Sequence, residues 1–137
     1  LSELDKFIIN LKKNKIKSIK LPVSAPFHCN LMKKATEKMR EEILKLNFQK
    51  PKNTLISNVT GKEIFDISEL KKLLIKQIES RVRWRESTIL IINKGVKQFI
   101  EIGPGKVLSG LAKRINKDIK VSAINNEEDI KSITIDE

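Results

Sequence analysis

A single cysteine, a single histidine, one tryptophan and no tyrosine stand among the 137 residues. Cys29 alone cannot form an internal disulfide, and His28 as the lone histidine leaves no His/Cys cluster for a structural zinc site. Only five glycines and four prolines occur, and no Gly/Ser/Pro-rich stretch marks a linker or a low-complexity block. Apolar runs are short. No stretch approaches the roughly 18 residues that a membrane span requires. Phe7-Ile8-Ile9, the first apolar run, breaks at Asn10 and Lys12, which does not fit a secretory signal. A reducing compartment and a cytoplasmic location are the expectations, with no membrane partner.

Charge is what the chain has in quantity: 28 basic against 17 acidic side chains, for a formal net charge of +11. Basic surfaces neutralise phosphates, so nucleic acid is the first partner to weigh. Of the basic residues, however, 23 are Lys and 5 are Arg, whereas base reading and bidentate phosphate contacts favour Arg. Lys, Ile and Asn together supply 54 residues; these share A/T-rich codons, a skew that raises the charge without any functional demand. No nucleic-acid partner is expected. The length suits one domain of ordinary size. The chain opens on Leu1 and runs at once into a helical pattern, as a piece of a longer protein would.

Hydrophobic periodicity orders the rest. Leu1, Leu4, Phe7, Ile8 and Leu11 share a helical face behind a Ser2/Asp5 capping pair. Ile19, Leu21 and Val23 alternate as in a half-buried strand. Met32, Ala35, Met39, Ile43 and Leu46 predict an amphipathic helix starting just after His28. Residues 54–60 look like a strand closing at Gly61-Lys62. Asp66 and Glu69 cap a helix bearing Ile67, Leu70, Leu74 and Ile78. A further helix over 86–93 stops at Gly95. Phe99–Ile102 is a strand, Gly103-Pro104-Gly105 a turn, Val107 to Ile115 a helix and Ile119–Ile124 a last strand. This alternation predicts an α/β domain with a mostly parallel sheet.

Chemistry has few candidates. His28 lies between a strand and a helix, where ligands of open parallel sheets sit; from position alone, a lone histidine is more often a surface or capping residue. No G-x-S-x-G elbow accompanies it. Cys29 is adjacent, but successive side chains of an extended segment diverge, so plain packing is its expected role. Gly103-Pro104-Gly105 before a helix has the form of a phosphate cradle. It lacks a P-loop sequence, and Leu108 stands where a dinucleotide fingerprint has its third glycine. Tight-turn structure is the expected role.

Four phrases together resemble one family: LPVSAPFHCNLMKKA, LISNVTGK, Gln77 to Trp84 (QIESRVRW) and FIEIGPGKVLSGLAKR. In order and spacing they are similar to the C-terminal part of malonyl-CoA:acyl carrier protein transacylases. The resemblance implies an α/β-hydrolase-like large subdomain with an inserted ferredoxin-like small one. Residues 1–24 would end the small subdomain, and 25–137 would form the C-terminal part of the large catalytic one. His28 would be the catalytic base and Gln77 the residue whose main-chain carbonyl orients it. Phe27 would sit at an acyl-pocket position linked to preference for malonyl groups.

The implied activity moves malonyl from coenzyme A to the phosphopantetheine thiol of acyl carrier protein in fatty-acid synthesis, with no metal or organic cofactor. The family's G-H-S-x-G serine, oxyanion-hole donors and carboxylate-binding arginine would all precede Leu1. None of Arg40, Arg81, Arg83, Arg85 or Arg114 stands at that clamp's place. The chain alone would therefore lack the nucleophile and need the remaining N-terminal portion of the enzyme as partner. Lys106 and the Arg81/Arg83/Arg85 cluster would help meet the acidic carrier, although solvated surface is their simpler role. The alternative is a catalytically inactive, acyltransferase-derived interaction module.

Overall fold

The computed structural model describes residues 2–20, 23 and 25–133. Helix α1 (Glu3–Lys13) starts from a reciprocated capping box between Ser2 and Asp5, which satisfies two donors that a helix N-terminus otherwise leaves open. It buries no residue, and Leu4, Phe7 and Ile9 remain exposed. A 3-10 turn (Asn30–Met32) leads into α2 (Lys33–Lys45). Strands β1 (Leu55–Ile56) and β2 (Glu63–Ile64) form an antiparallel hairpin. Helices α3 (Ile67–Gln77) and α4 (Trp84–Asn93) follow. Strand β3 (Gln98–Ile102), helix α5 (Val107–Ile115) and strand β4 (Lys120–Ile124) complete a β-α-β unit, and α6 (Glu127–Ser132) ends the described chain.

β3 and β4 pair in parallel, from Gln98 beside Lys120 to Ile102 beside Ile124. With α5 packed on both strands and α4 packed on α5, this is the α/β arrangement expected. Among the described residues that parallel sheet has two strands only. Parallel sheets are stable when covered on both faces, yet Ile102 is 81% exposed.

α2 and α3 pack as an antiparallel pair. Lys71, early in α3, donates from Nζ to the Leu46 carbonyl at 2.7 Å, just past the end of α2, and lies 5.5 Å over the Phe48 ring. A cation there also suits the negative end of the α2 dipole. Ile43, Leu70 and Ile75, all buried, come from these two helices. Because the helices run oppositely, the end of α3 meets the segment that precedes α2. That segment carries His28.

Three expectations are corrected. No strand forms at 19–23 among the described residues: Ile19 and Val23 are 74% and 69% exposed, so the alternation has no face to bury (Leu21 lies outside the described residues). The strand expected over 54–60 stops at Ile56. There the Ser57 hydroxyl accepts from the Val59 and Thr60 main-chain N–H groups at 3.1 and 3.4 Å, offering the backbone a turn in place of a ladder. The helix expected to start at 86 begins two residues earlier, at Trp84. Helix α6 was not expected, although Asn126 three residues before Asp129 could have signalled it, and both halves of that capping box form.

Candidate functional site

His28 sits in a short irregular segment bounded by Pro26 and the 3-10 turn. The Phe27 N–H donates to the Ala25 carbonyl at 2.9 Å, and the Cys29 thiol donates to the Pro26 carbonyl at 3.1 Å. The thiol is thus engaged with this loop's own backbone rather than with the imidazole. His28 itself adopts φ 61°, the left-handed region. A side chain there is uncommon, and such strain persists only where surrounding contacts over-determine it.

The contact that holds His28 is a hydrogen bond between its Nδ1 and the Gln77 main-chain carbonyl, 3.0 Å across 49 positions of sequence. Gln77 is the last residue of α3, and carbonyls of a last turn have no partner within their helix. A carbonyl oxygen can only accept, so Nδ1 carries the proton of this bond. The ring is thereby oriented by a neutral group, and among the described residues Nε2 makes no hydrogen bond. Among the described residues, no serine, cysteine or carboxylate side chain is hydrogen-bonded to the ring. Phe27 is 59% exposed beside it.

Gly103-Pro104-Gly105 makes the turn expected between β3 and α5, with Gly105 at φ 96°. The N-terminus of α5 is already filled from within. Glu101 Oε1 and Oε2 accept from the Leu108 and Ser109 N–H groups at 3.1 and 2.8 Å. The chain's own carboxylate therefore takes the place that a phosphate cradle would offer.

The Ser109 N–H foremost, with the Leu108 N–H, holds the Glu101 carboxyl below its usual range. A depressed carboxyl stabilises the fold above its unfolded-state value, and that stability is lost as pH falls through the folded-state value. Glu101→Gln is expected to lower the melting temperature at neutral pH and to flatten its fall below about pH 4.5. Melting curves from pH 3 to 7 check this; curves that run parallel to the parent's would contradict it.

The arginine cluster is largely committed to internal contacts. Arg81 and Arg83 both reach Glu86, at 3.2 and 3.4 Å, and Arg83 Nε donates to the Val59 carbonyl at 3.0 Å. Gly61, at φ 65°, lies under this cluster, where a Cβ would stand 3.2 Å from that of Glu86. No group of three or more His, Cys, Asp or Glu residues able to hold a metal occurs among the described residues. Likewise, no helix among them is long and apolar enough to cross a membrane.

Comparison with known proteins shows what the chain is similar to. No protein-family model matches the chain. A malonyl CoA-acyl carrier protein transacylase of Bacillus subtilis (strain 168) is 43% identical over 115 residues, 84% of this chain and 36% of the relative. The chain is homologous to the malonyl-CoA:acyl carrier protein transacylases, matching their C-terminal portion. The crystal structure of the transacylase from Clostridium perfringens superposes with a TM-score of 0.81 at 36% identity, over 94% of this chain and 41% of that one. A malonyl-transacylase solved in complex with a type II polyketide acyl-carrier protein superposes at 0.80 with 32% identity, over 94% of this chain and 42% of that one. The chain thus spans well under half the length of the transacylases it matches.

Proposed function

We propose that this chain supplies the histidine half of a Ser-His acyltransfer site. It would act in moving a malonyl group from coenzyme A to the phosphopantetheine thiol of acyl carrier protein. The observation that carries the reading is the bond from His28 Nδ1 to the Gln77 carbonyl. In a homologue of malonyl transacylases, that bond leaves the one imidazole of the chain with Nε2 free to take a proton. On this reading a serine from the remaining part of the fold gives its proton to Nε2 as Oγ attacks the thioester carbonyl. The coenzyme A thiolate leaves with that proton. The carrier thiol then attacks the seryl ester, again giving its proton to His28, and serine is restored.

The orienting carbonyl stabilises the imidazolium less than a triad aspartate does. Its position at the end of α3 adds the partial negative charge of the helix C-terminus. Phe27, beside the histidine, would border the acyl pocket. The chemistry calls for no metal or organic cofactor. Residues 1–24 would end the small subdomain and 25–137 belong to the large one, a division supported by the absence of any buried residue in α1. A cytoplasmic setting suits soluble acyl carriers.

Co-expressing the chain with the complementary N-terminal portion of a transacylase tests the reading. Malonyl transfer to carrier protein, measured by mass shift of the carrier, is expected only when both portions are present. Complex formation without transfer would favour the inactive interaction module instead.

A further inference from the structure

The antiparallel α2/α3 pair encloses a groove that the proposed chemistry does not use. It has a volume of about 460 Å3 and is lined by Thr36 and Arg40 from α2, and by Lys72, Ile75 and Lys76 from α3, with Glu79 and Ser80 just beyond. Lys72 and Lys76 are one helical turn apart, so both point to the same side of α3. Thr36 and Arg40 stand in the same relation on α2. Three cationic side chains therefore converge from two helices on one concavity, with Glu79 as the single anion among them.

Ion pairing within the fold does not explain the convergence. Among the described residues, Arg40 and Lys76 take part in none of the salt bridges, and Glu79 closes none with them. Lys72 is only remotely compensated, through its weak electrostatic influence on Asp66. Like charges held around a concave, partly apolar wall repel one another, and an anion seated between them relieves the repulsion. Arg40 offers a planar fork of donors and the lysines offer point charges, a combination suited to phosphoryl oxygens. Ile75, buried, forms the apolar floor of the groove.

We infer that this groove is a binding site for a phosphate or pyrophosphate group. Its place in the fold adds interest, since Lys76 and Glu79 flank Gln77 and the groove ends beside the His28 contact. The inference holds whether or not His28 acts as a base, because anion binding is read without turnover.

Isothermal titration at constant ionic strength tests it, on the chain paired with its complementary portion. Inorganic pyrophosphate and adenosine diphosphate are the two probes. Saturable one-to-one binding is expected, weakened at least tenfold in Arg40→Gln/Lys76→Gln. The charge-matched Lys12→Gln/Lys13→Gln variant, altered at the exposed end of α1, should bind within twofold of the parent. Equal affinity for both probes supports a site for the anion alone, and tighter diphosphate binding supports an anion carried on a nucleotide. Non-saturable binding, or equal losses in the two double variants, would overturn the site and leave only the attraction of a +11 chain for polyanions. All the substituted side chains are exposed, and circular dichroism of both variants should match the parent.

Discussion

Replacing His28 by alanine in the reassembled protein is expected to lower malonyl transfer by about 10²- to 10⁴-fold, the usual worth of a positioned general base. The left-handed backbone at φ 61° complicates the simple comparison. His28→Ala keeps the strained Cβ but removes the bond to Gln77 that holds it, so it is expected to lose stability as well. His28→Gly separates the two effects. It should be at least as stable as His28→Ala, by thermal melting, while losing transfer to the same extent. Near-normal turnover in either variant would refute the assigned role.

Gln77 provides the complementary control, because its contact is made by the main chain. Gln77→Ala preserves the carbonyl and should change transfer by less than about tenfold. A large loss with the fold intact would show that the side chain, not the carbonyl, does the orienting. Inserting a residue in the last turn of α3 would move that carbonyl and should reproduce most of the histidine phenotype.

Expressed alone, the chain is expected to self-associate or aggregate, and to regain solubility with its complementary portion. The physical reason is the balance of burial. Among the described residues, six apolar side chains are buried, whereas eighteen large ones are exposed, including Ile102, Leu31, Phe65 and Val107. Among the described residues the parallel sheet has only two strands, and the edge of a short, uncovered sheet can template further strands. α1 presents Leu4, Phe7 and Ile9 to solvent on top of this. Light scattering and sedimentation read the outcome, with the complementary portion titrated in. A monomer that melts cooperatively by itself would contradict the expectation.

Helices α2, α3 and α5 were legible because their signals are local. Met39 and Ile43 recur at helical spacing, Asp66 caps from three residues ahead, and β3 and β4 flank α5 at lengths a crossover needs. The strand expected at 19–23 failed for the opposite reason: alternation states only that one face can be buried, and no described partner covers Ile19 or Val23. At Ser57 a side-chain hydroxyl outcompeted the ladder that the flanking β-branched residues favour. The apparent phosphate cradle at Gly103-Pro104-Gly105 is a turn as expected, but in the folded chain Glu101 from β3 fills the helix end behind it.

The site divides in the same way. Composition and motif resemblance singled out His28, because a chain with one histidine offers one imidazole and the phrase around it is specific. By itself the sequence determined the α/β alternation, the family resemblance and that single candidate base. The tertiary structure decided what makes it a candidate geometrically: the antiparallel pairing of α2 and α3, the unsatisfied carbonyl of Gln77 at the end of α3, and the left-handed turn that brings the ring to it. It also decided which cations pair and which converge on an open groove. Local order is encoded by spacing along the chain, whereas a contact across 49 positions exists only once two helices have packed.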